Sequence, residues 1–490
     1  MTLERTTKWL AIVLGAAFIA IVLALSIMRL MYPYEVEWME GAMLDHVIRI
    51  LSGKPIYSSP TIDFIPWLYP PLYYYAVTGV AKIVGIGFFA GRVVSFASTL
   101  ITVGLMGWMV QRITKNRLFS FLTIALYFAT YHATGYYFDI VRNDAFFTMI
   151  IVSLAFTVIR SPGASLSARF CAVLFSIAFL TRQQAIFFLP PLALWFWLHD
   201  KKSGMIFIVC AIMLTIVSLM VLSATTHGWS TFYMFKIPSA KRADFSIIRM
   251  FDAFPNFALG PFAASSAAML LLVLLARGKQ KIFWASDTGL IVMMTFAALA
   301  AGAMSLGNEG GDRNVMMAFA AFVLPLLPIA LNEMKNARPV FARYVYLAFL
   351  FQFVALYFNP LSGKMVIASA RQRAGGDEFM RKLRAMPGDV YIPYHGYIAR
   401  QAGKPSHAQL LATIDVLRVH DTTSARLQAD LDSAFAQHRF SAIIMEESDA
   451  FRLDSVVHYT FAGRMIAEPN VYLTRVGDAA TRPEFVFVPK

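Results

Sequence analysis

Apolar runs of bilayer-spanning length, or slightly short of it, recur at roughly 8–30, 91–111, 118–137, 144–160, 168–181, 184–199, 204–224, 256–276, 287–306, 314–332 and 343–358. Backbone polar groups in lipid must pair within their own segment, so repeated runs of this kind leave a bundle of membrane-crossing helices as the fold. Composition agrees: 58% hydrophobic residues, 14% aromatics and a mean hydropathy of +0.59 exclude a water-soluble protein. No small-x-small cleavage site separates the first run from the acidic residues that follow it, which predicts a retained first span. Cys171 and Cys210 both fall inside apolar runs, so they read as packing residues.

A twelfth run, 68–87, is assigned by charge. If it lies along the membrane surface, the basic loops 111–117, 160–169, 199–202, 277–281 and 333–343 all share the side of the basic N-terminus. If it crosses, they all face outward. The positive-inside rule selects the first arrangement, and Pro70-Pro71 with Trp67, Tyr69 and Tyr73 suits interface depth. The formal charge of +14 is therefore a topology signal and not a nucleic-acid footprint. The predicted fold is a polytopic α-helical membrane protein of about 11 spans over residues 1–358, with a cytoplasmic N-terminus. Its first outer loop, 31–90, is expected to carry juxtamembrane helices. From 359 to 490 the composition predicts a small periplasmic α/β domain, with strands in GDVYIPY and SAIIMEE and helices near 408–419 and 424–437.

This topology gathers the unusual polar residues on one face. In Glu37-Trp-Met-Glu40-Gly two carboxylates stand three apart and share a helix face, where one can accept a proton from a hydroxyl; solvated acids of an interfacial helix are the bland alternative. Asp139, Arg142 and Asp144 fall where one span ends and the next begins, and an ion pair closing two helix ends is the bland reading of them. Arg182 and Gln183 occupy a short turn, where an arginine fork can clamp a phosphate or snorkel to headgroups. GNEGGDRN, with Glu309, Asp312 and Arg313, can present backbone amides to an anion or be a plain tight loop. The segment 225–255 sets Lys236, Lys241, Arg242 and Arg249 among aromatics on the outer side, against the general charge bias, which favours binding of an anionic lipid headgroup or a lipid-linked phosphate. The histidines have no metal-ligand spacing, and there is no P-loop, dinucleotide fingerprint or G-x-S-x-G elbow.

The succession E-W-M-E-G, L-S-G-K-P-I-Y, Y-P-P-L-Y-Y-Y and V-R-N-D resembles the GT-C superfamily of membrane glycosyltransferases. It is most similar to the bacterial branch related to protein O-mannosyltransferases and lipid A aminoarabinose transferases. The resemblance implies inverting transfer of a hexosyl or pentosyl group from a polyprenyl-phosphate donor to a hydroxyl of a glycan, lipid or protein, at the periplasmic face of the bacterial inner membrane. It places Glu37 or Glu40 as the catalytic acid/base and Asp144 as the second acid. Met39 stands where the family carries Asp, so the choice between the two glutamates stays open. Arg182 with Lys236 or Arg313 would stabilise the leaving phosphate, and Arg142, Gln183, Tyr69 and Tyr73 would contact substrate. No cofactor is assigned; a divalent cation held by carboxylates alone is left open, and nucleic acid is not an expected partner. A flippase or transporter of lipid-linked saccharide is the rival, which would place these acids and arginines mid-span instead of at span ends.

Overall fold

A computed structural model describes residues 3–161, 165–357, 368–446, 457–466 and 482–490. The first helix, α1 (Leu3–Leu30), is 28 residues long, about 42 Å at 1.5 Å per residue, more than a bilayer core needs. The chain then turns into α2 (Glu40–Leu51), whose buried face is Ala42, Met43, Leu44, His46 and Val47. Next come α3 (Leu72–Val84), entered at Pro71 and closed by Gly85 at φ +89°, and the long α4 (Phe88–Thr114). Asn116 caps α5 (Arg117–Ala129), accepting from the N–H groups of Leu118 and Phe119 at 3.0 and 3.3 Å. The helices α6 (Asn143–Arg160), α7 (Ser165–Phe179), α8 (Leu189–His199) and α9 (Lys201–Thr225) follow. Short turns lead to the later helical stretches Ala263–Leu275, Asp287–Gly307, Arg313–Ala337 and Pro339–Tyr357.

Among the described residues, seven helices are long and apolar enough to cross a membrane: α1, α4, α6, α9 and the last three stretches just given. Four expected spans are shorter or bent. The run 118–137 gives only the 13 residues of α5, because the chain turns at Gly135 and Tyr136, both in left-handed conformation at φ +75° and +67°. The run 168–181 gives α7, with 15 residues. The run 184–199 begins as a 3₁₀ turn, Gln183–Phe188, before the 11 residues of α8. The run 256–276 is bent by 93° between Ile247–Ala258 and Ala263–Leu275, and counts as an eighth crossing if the bent pair is one span. The 13-residue α3, within 68–87, reaches about 20 Å, too short to cross alone. Burial distinguishes centre from rim: the apolar window of α1 is 22% buried and that of α9 17%, whereas Arg313–Ala337 is 89% buried. Apolar side chains facing outward along α1 and α9 are what a lipid solvent requires, and the protein is a multi-pass membrane protein.

Beyond the last span, the expected boundary at 358/359 lies outside the described residues. The chain resumes as a helix, Ala370–Ala385, opened by a Ser369–Gln372 capping box. A four-stranded sheet follows in the order β1 (Val390–Tyr391), β2 (Ala442–Met445), β4 (Phe485–Pro489), β3 (Tyr459–Arg464). The β1–β2 pair is parallel and the other two are antiparallel. The helices Leu410–Leu417 and Thr422–Ala436 lie between β1 and β2 in the chain. This C-terminal region shares an apolar core with the first loop: Met43, Leu44, Trp67 and Tyr74 cluster with Tyr391, Tyr397, Leu427 and Phe435. A backbone hydrogen bond from Ala408 N–H to the Ile62 carbonyl at 2.9 Å joins them. The loop is therefore clamped between the bundle and the C-terminal region.

Candidate active site

The two glutamates of E-W-M-E-G are both fully buried, and their surroundings differ. Glu40 Oε1 accepts from Arg92 Nε at 2.8 Å and from Val141 N–H at 2.9 Å. Its Oε2 accepts from Arg92 Nη2 at 2.6 Å and from Val36 N–H at 2.8 Å. Burial alone would raise the carboxyl, but the Arg92 guanidinium and these donors outweigh it and hold Glu40 below its ordinary value. Arg92 also donates to the carbonyls of Arg29, Tyr32 and Tyr34 at 2.6–2.8 Å, tying the end of α1 and the first loop to α4. Gly41 is required by the same packing, since a Cβ there would collide with the Glu35 carboxylate and with Tyr397 Cβ.

Glu37 has fewer donors: Arg142 Nη1 at 3.0 Å and the Met39 N–H at 3.0 Å. Burial, only partly offset by Arg142, pushes its carboxyl up to about 7. Beside it Asp144, at the start of α6, accepts from Asn314 Nδ2 at 2.8 Å and from Arg182, and its other oxygen lies 3.8 Å from Arg142 Nε. Arg142 and Arg182 therefore stand side by side over two buried carboxylates, with Asp144 shared between them and Glu37 on Arg142 alone. Gln183 fixes the turn beyond them, donating to the carbonyl of Leu68 at 2.9 Å and of Met234 at 3.3 Å.

These groups open onto a cleft of about 250 Å³ at one end of the bundle. Its floor is Arg142, Arg182, Gln183 and Asn314; its aromatic wall is Trp38, Trp67 and Tyr69, with the Tyr69 hydroxyl 3.4 Å from Arg142 Nη2. The opposite wall combines the glycine-rich stretch Glu309–Asp312 with Lys241, Leu411 and Asp415, the last two from the C-terminal region. Lys241 reaches Asp415 at 2.7 Å, and both are largely buried.

Nine of the sequence-predicted residues converge here: Glu37, Asp144, Arg142, Arg182, Gln183, Tyr69, Lys241, Glu309 and Asp312. Glu37 touches the cleft only through Arg142, and Asp144 lies beneath the two arginines. Five predicted residues stand elsewhere. Glu40 is enclosed by Arg92, as described. Lys236 points away to Asp421 at 2.5 Å. Arg313 is not on the cleft wall, although its neighbours Asp312 and Asn314 are. Tyr73 is buried against Ser95, with 3.2 Å between the hydroxyls. Asp139 closes helix ends by pairing with Arg29 at 3.3 Å. Sequence reasoning passed over Arg92, although one arginine near the start of an apolar run is itself a signal. It also passed over Trp38, Asn314 and Asp415 as cleft residues. Among the described residues no group of three or more His, Cys, Asp or Glu could hold a metal ion.

The bundle, its clamped first loop and the C-terminal region together form the fold of the GT-C membrane glycosyltransferases. Two particular proteins define the likeness. Crystal structures of ArnT, the lipid A aminoarabinose transferase of Cupriavidus metallidurans, match at 14% identity in two states. The apo state covers 99% of this chain and 98% of ArnT with a TM-score of 0.58. The state bound to undecaprenyl phosphate covers 96% and 97% with a TM-score of 0.56. The archaeal oligosaccharyltransferase AglB of Archaeoglobus fulgidus, in complex with an inhibitory peptide and a dolichol-phosphate, matches 88% of this chain and 69% of its own at 10% identity and TM-score 0.50. No protein-family model and no curated protein sequence matches the chain.

Proposed function

We propose that this protein transfers a sugar from a polyprenyl-phosphate donor to an acceptor hydroxyl, in a single inverting displacement on the periplasmic face of the bacterial inner membrane. The observation that carries this reading is the adjacent pair of guanidinium–carboxylate contacts, Arg142–Glu37 and Arg182–Asp144, under one cleft. The entering donor phosphate takes the exposed edges of the Arg142 and Arg182 forks. As Arg142 turns to the phosphate, Glu37 is released. Its raised value then suits a base that works near neutral pH. The acceptor oxygen attacks the anomeric carbon while its proton passes to Glu37. The bond from that carbon to the phosphate oxygen breaks, and the electron pair leaves on the polyprenyl phosphate, held by the two arginines. Asp144 positions Arg182. Glu40 takes no proton, because every lone-pair direction it offers inward is already donated to. The likeness to structures that bind undecaprenyl phosphate and dolichol-phosphate supports a lipid-phosphate donor.

The test is label transfer in proteoliposomes, with radiolabelled polyprenyl-phosphate sugars as donors and membrane extract as acceptor. Label reaching an acceptor with wild type, and lost with Glu37→Gln but retained per folded molecule with Glu40→Gln, supports the assignment. Labelled lipid that changes leaflet without donor consumption, unaffected by either substitution, replaces it with transport.

A further inference from the structure

A second cavity, of about 480 Å³, lies where α1 ends and α4 begins, and it shares no lining residue with the catalytic cleft. Because α1 and α4 are both long enough to cross the bilayer, their adjoining ends place this cavity at headgroup depth. Its membrane-side wall includes Met31, Ile86 and Phe89, which are 69%, 43% and 41% exposed. Exposed apolar side chains at the end of a span are expected to meet acyl chains. The other wall comes from the C-terminal region, through Met380 and Arg384 on the helix Ala370–Ala385.

That helix is strongly basic and follows closely on the last span. It carries Arg371, Arg373, Arg381, Lys382 and Arg384 against Asp377 and Glu378, with every one of these cations exposed. Both acids are occupied: Asp377 accepts from the Tyr34 hydroxyl at 2.5 Å, and Glu378 pairs with Lys382 at 2.9 Å. Among the described residues, Arg373 and Arg384 have no carboxylate partner, whereas Arg381 shares Glu378 with Lys382. A guanidinium left uncompensated at the mouth of a half-apolar cavity, at the level where a bilayer keeps its phosphates, is complementary to an anionic headgroup and its tail.

We propose that this cavity binds one anionic phospholipid of the surrounding leaflet, with its phosphate on Arg384 and its acyl chain along Ile86, Phe89 and Met31. The site has a structural reach beyond itself. Tyr34 lines it, and the Tyr34 carbonyl accepts from Arg92 Nη2 at 2.7 Å, the same guanidinium that encloses Glu40. A bound lipid therefore supports the back of the catalytic loop.

Native mass spectrometry of the full-length protein, released from detergent after titration with phosphatidylglycerol or phosphatidylcholine, tests this. The expected result is one phosphatidylglycerol retained in preference to phosphatidylcholine. Arg384→Gln should weaken that retention about fivefold, the effect of one basic residue at an anionic surface, and Arg384→Lys should largely keep it. Ile86→Ser, at a position 43% exposed, should weaken retention of the same lipid through the acyl wall. An excess of inorganic phosphate should not displace the lipid, since it lacks the tail, and polyprenyl phosphate should not displace it either. Equal retention of the two phospholipids, equal retention by wild type and Arg384→Gln, or displacement by inorganic or polyprenyl phosphate would each overturn the site.

Discussion

Glu37 and Glu40 stand three residues apart in one loop, both fully buried and both paired with an arginine, and the fold treats them in opposite ways. Glu40 receives a bidentate fork and two backbone N–H groups, and its charge is held below the ordinary carboxylate range. Glu37 receives one guanidinium nitrogen and one N–H, and its carboxyl is pushed up to about 7. A buried acid with all its acceptor sites filled can only fasten; one with sites to spare can exchange partners and protons. Position in the motif does not separate these two surroundings, but the count of donors does.

The sharpest way to break that contrast is Glu37→Gln, which is nearly isosteric and keeps a hydrogen bond acceptor for Arg142. Transfer should fall about 10²- to 10⁴-fold, the usual contribution of a positioned base, with a drop in melting temperature that is limited because Arg142 keeps Asp144 at 3.8 Å. The same assay on wild type has a pH signature. A base must be ionised, so kcat/KM should climb with pH toward a plateau above about 7. A profile flat from pH 5 to 9 would remove Glu37 from the proton transfer.

Arg92→Met makes the complementary cut. It strands the Glu40 carboxylate in a dry site and frees three backbone carbonyls, so the cost should be about 3–5 kcal/mol of stability. Thermal melting should register it, while turnover per folded molecule stays near wild type. Unaltered melting with lost turnover would exchange the roles assigned to the two glutamates.

A third buried acid of the loop extends the comparison to the C-terminal region. Glu35 pairs with His395, whose other nitrogen lies 3.2 Å from Glu446. Burial would lower the imidazole, but Glu446 and Glu35 outweigh it and push it up to about 10. An imidazolium favoured by the fold contributes stability that is complete below pH 6.5 and is lost as pH rises toward 10. Glu35, pushed up to about 7 by burial despite His395, adds a smaller loss between pH 4.5 and 7. The melting temperature should therefore fall between pH 6.5 and 10 in wild type, and His395→Gln should flatten that fall. Equal slopes for the two proteins would mean that the pair does not hold the region in place.

How much of this was legible follows from where the partners come from. The acidic element, the membrane class and the gathering of Arg142, Asp144 and Arg182 near span ends depend on local spacing and apolar runs, and they were readable in the chain. The different surroundings of Glu37 and Glu40 depend on Arg92, 52 residues beyond Glu40, and on the Val141 N–H, 101 residues beyond. Spacing within the motif carries no trace of either. The shortened α5 was closer to readable, since His-Ala-Thr-Gly-Tyr interrupts the apolar run where the chain turns left-handed. The segment after α9 was not: it passes through π and 3₁₀ turns between Phe232 and Asp244, so helical periodicity could not tell which of its lysines faces the cleft.

That last difference yields the smallest effect and a sensitive control. Lys236 and Lys241 are five residues apart and both meet an aspartate of the C-terminal region, Asp421 and Asp415. The Lys236 side chain is 55% exposed, and a pair of that kind contributes about 0–1 kcal/mol, much of it screened by salt. Lys236→Gln should therefore leave donor KM unchanged and shift melting barely at all. Lys241, 15% exposed and on the cleft wall, loses a pair that solvent screens less. Lys241→Gln should accordingly raise the KM for donor or acceptor while kcat holds. If the two substitutions behave alike, the C-terminal wall of the cleft takes no part in binding, and its lysine–aspartate contact is only a strut.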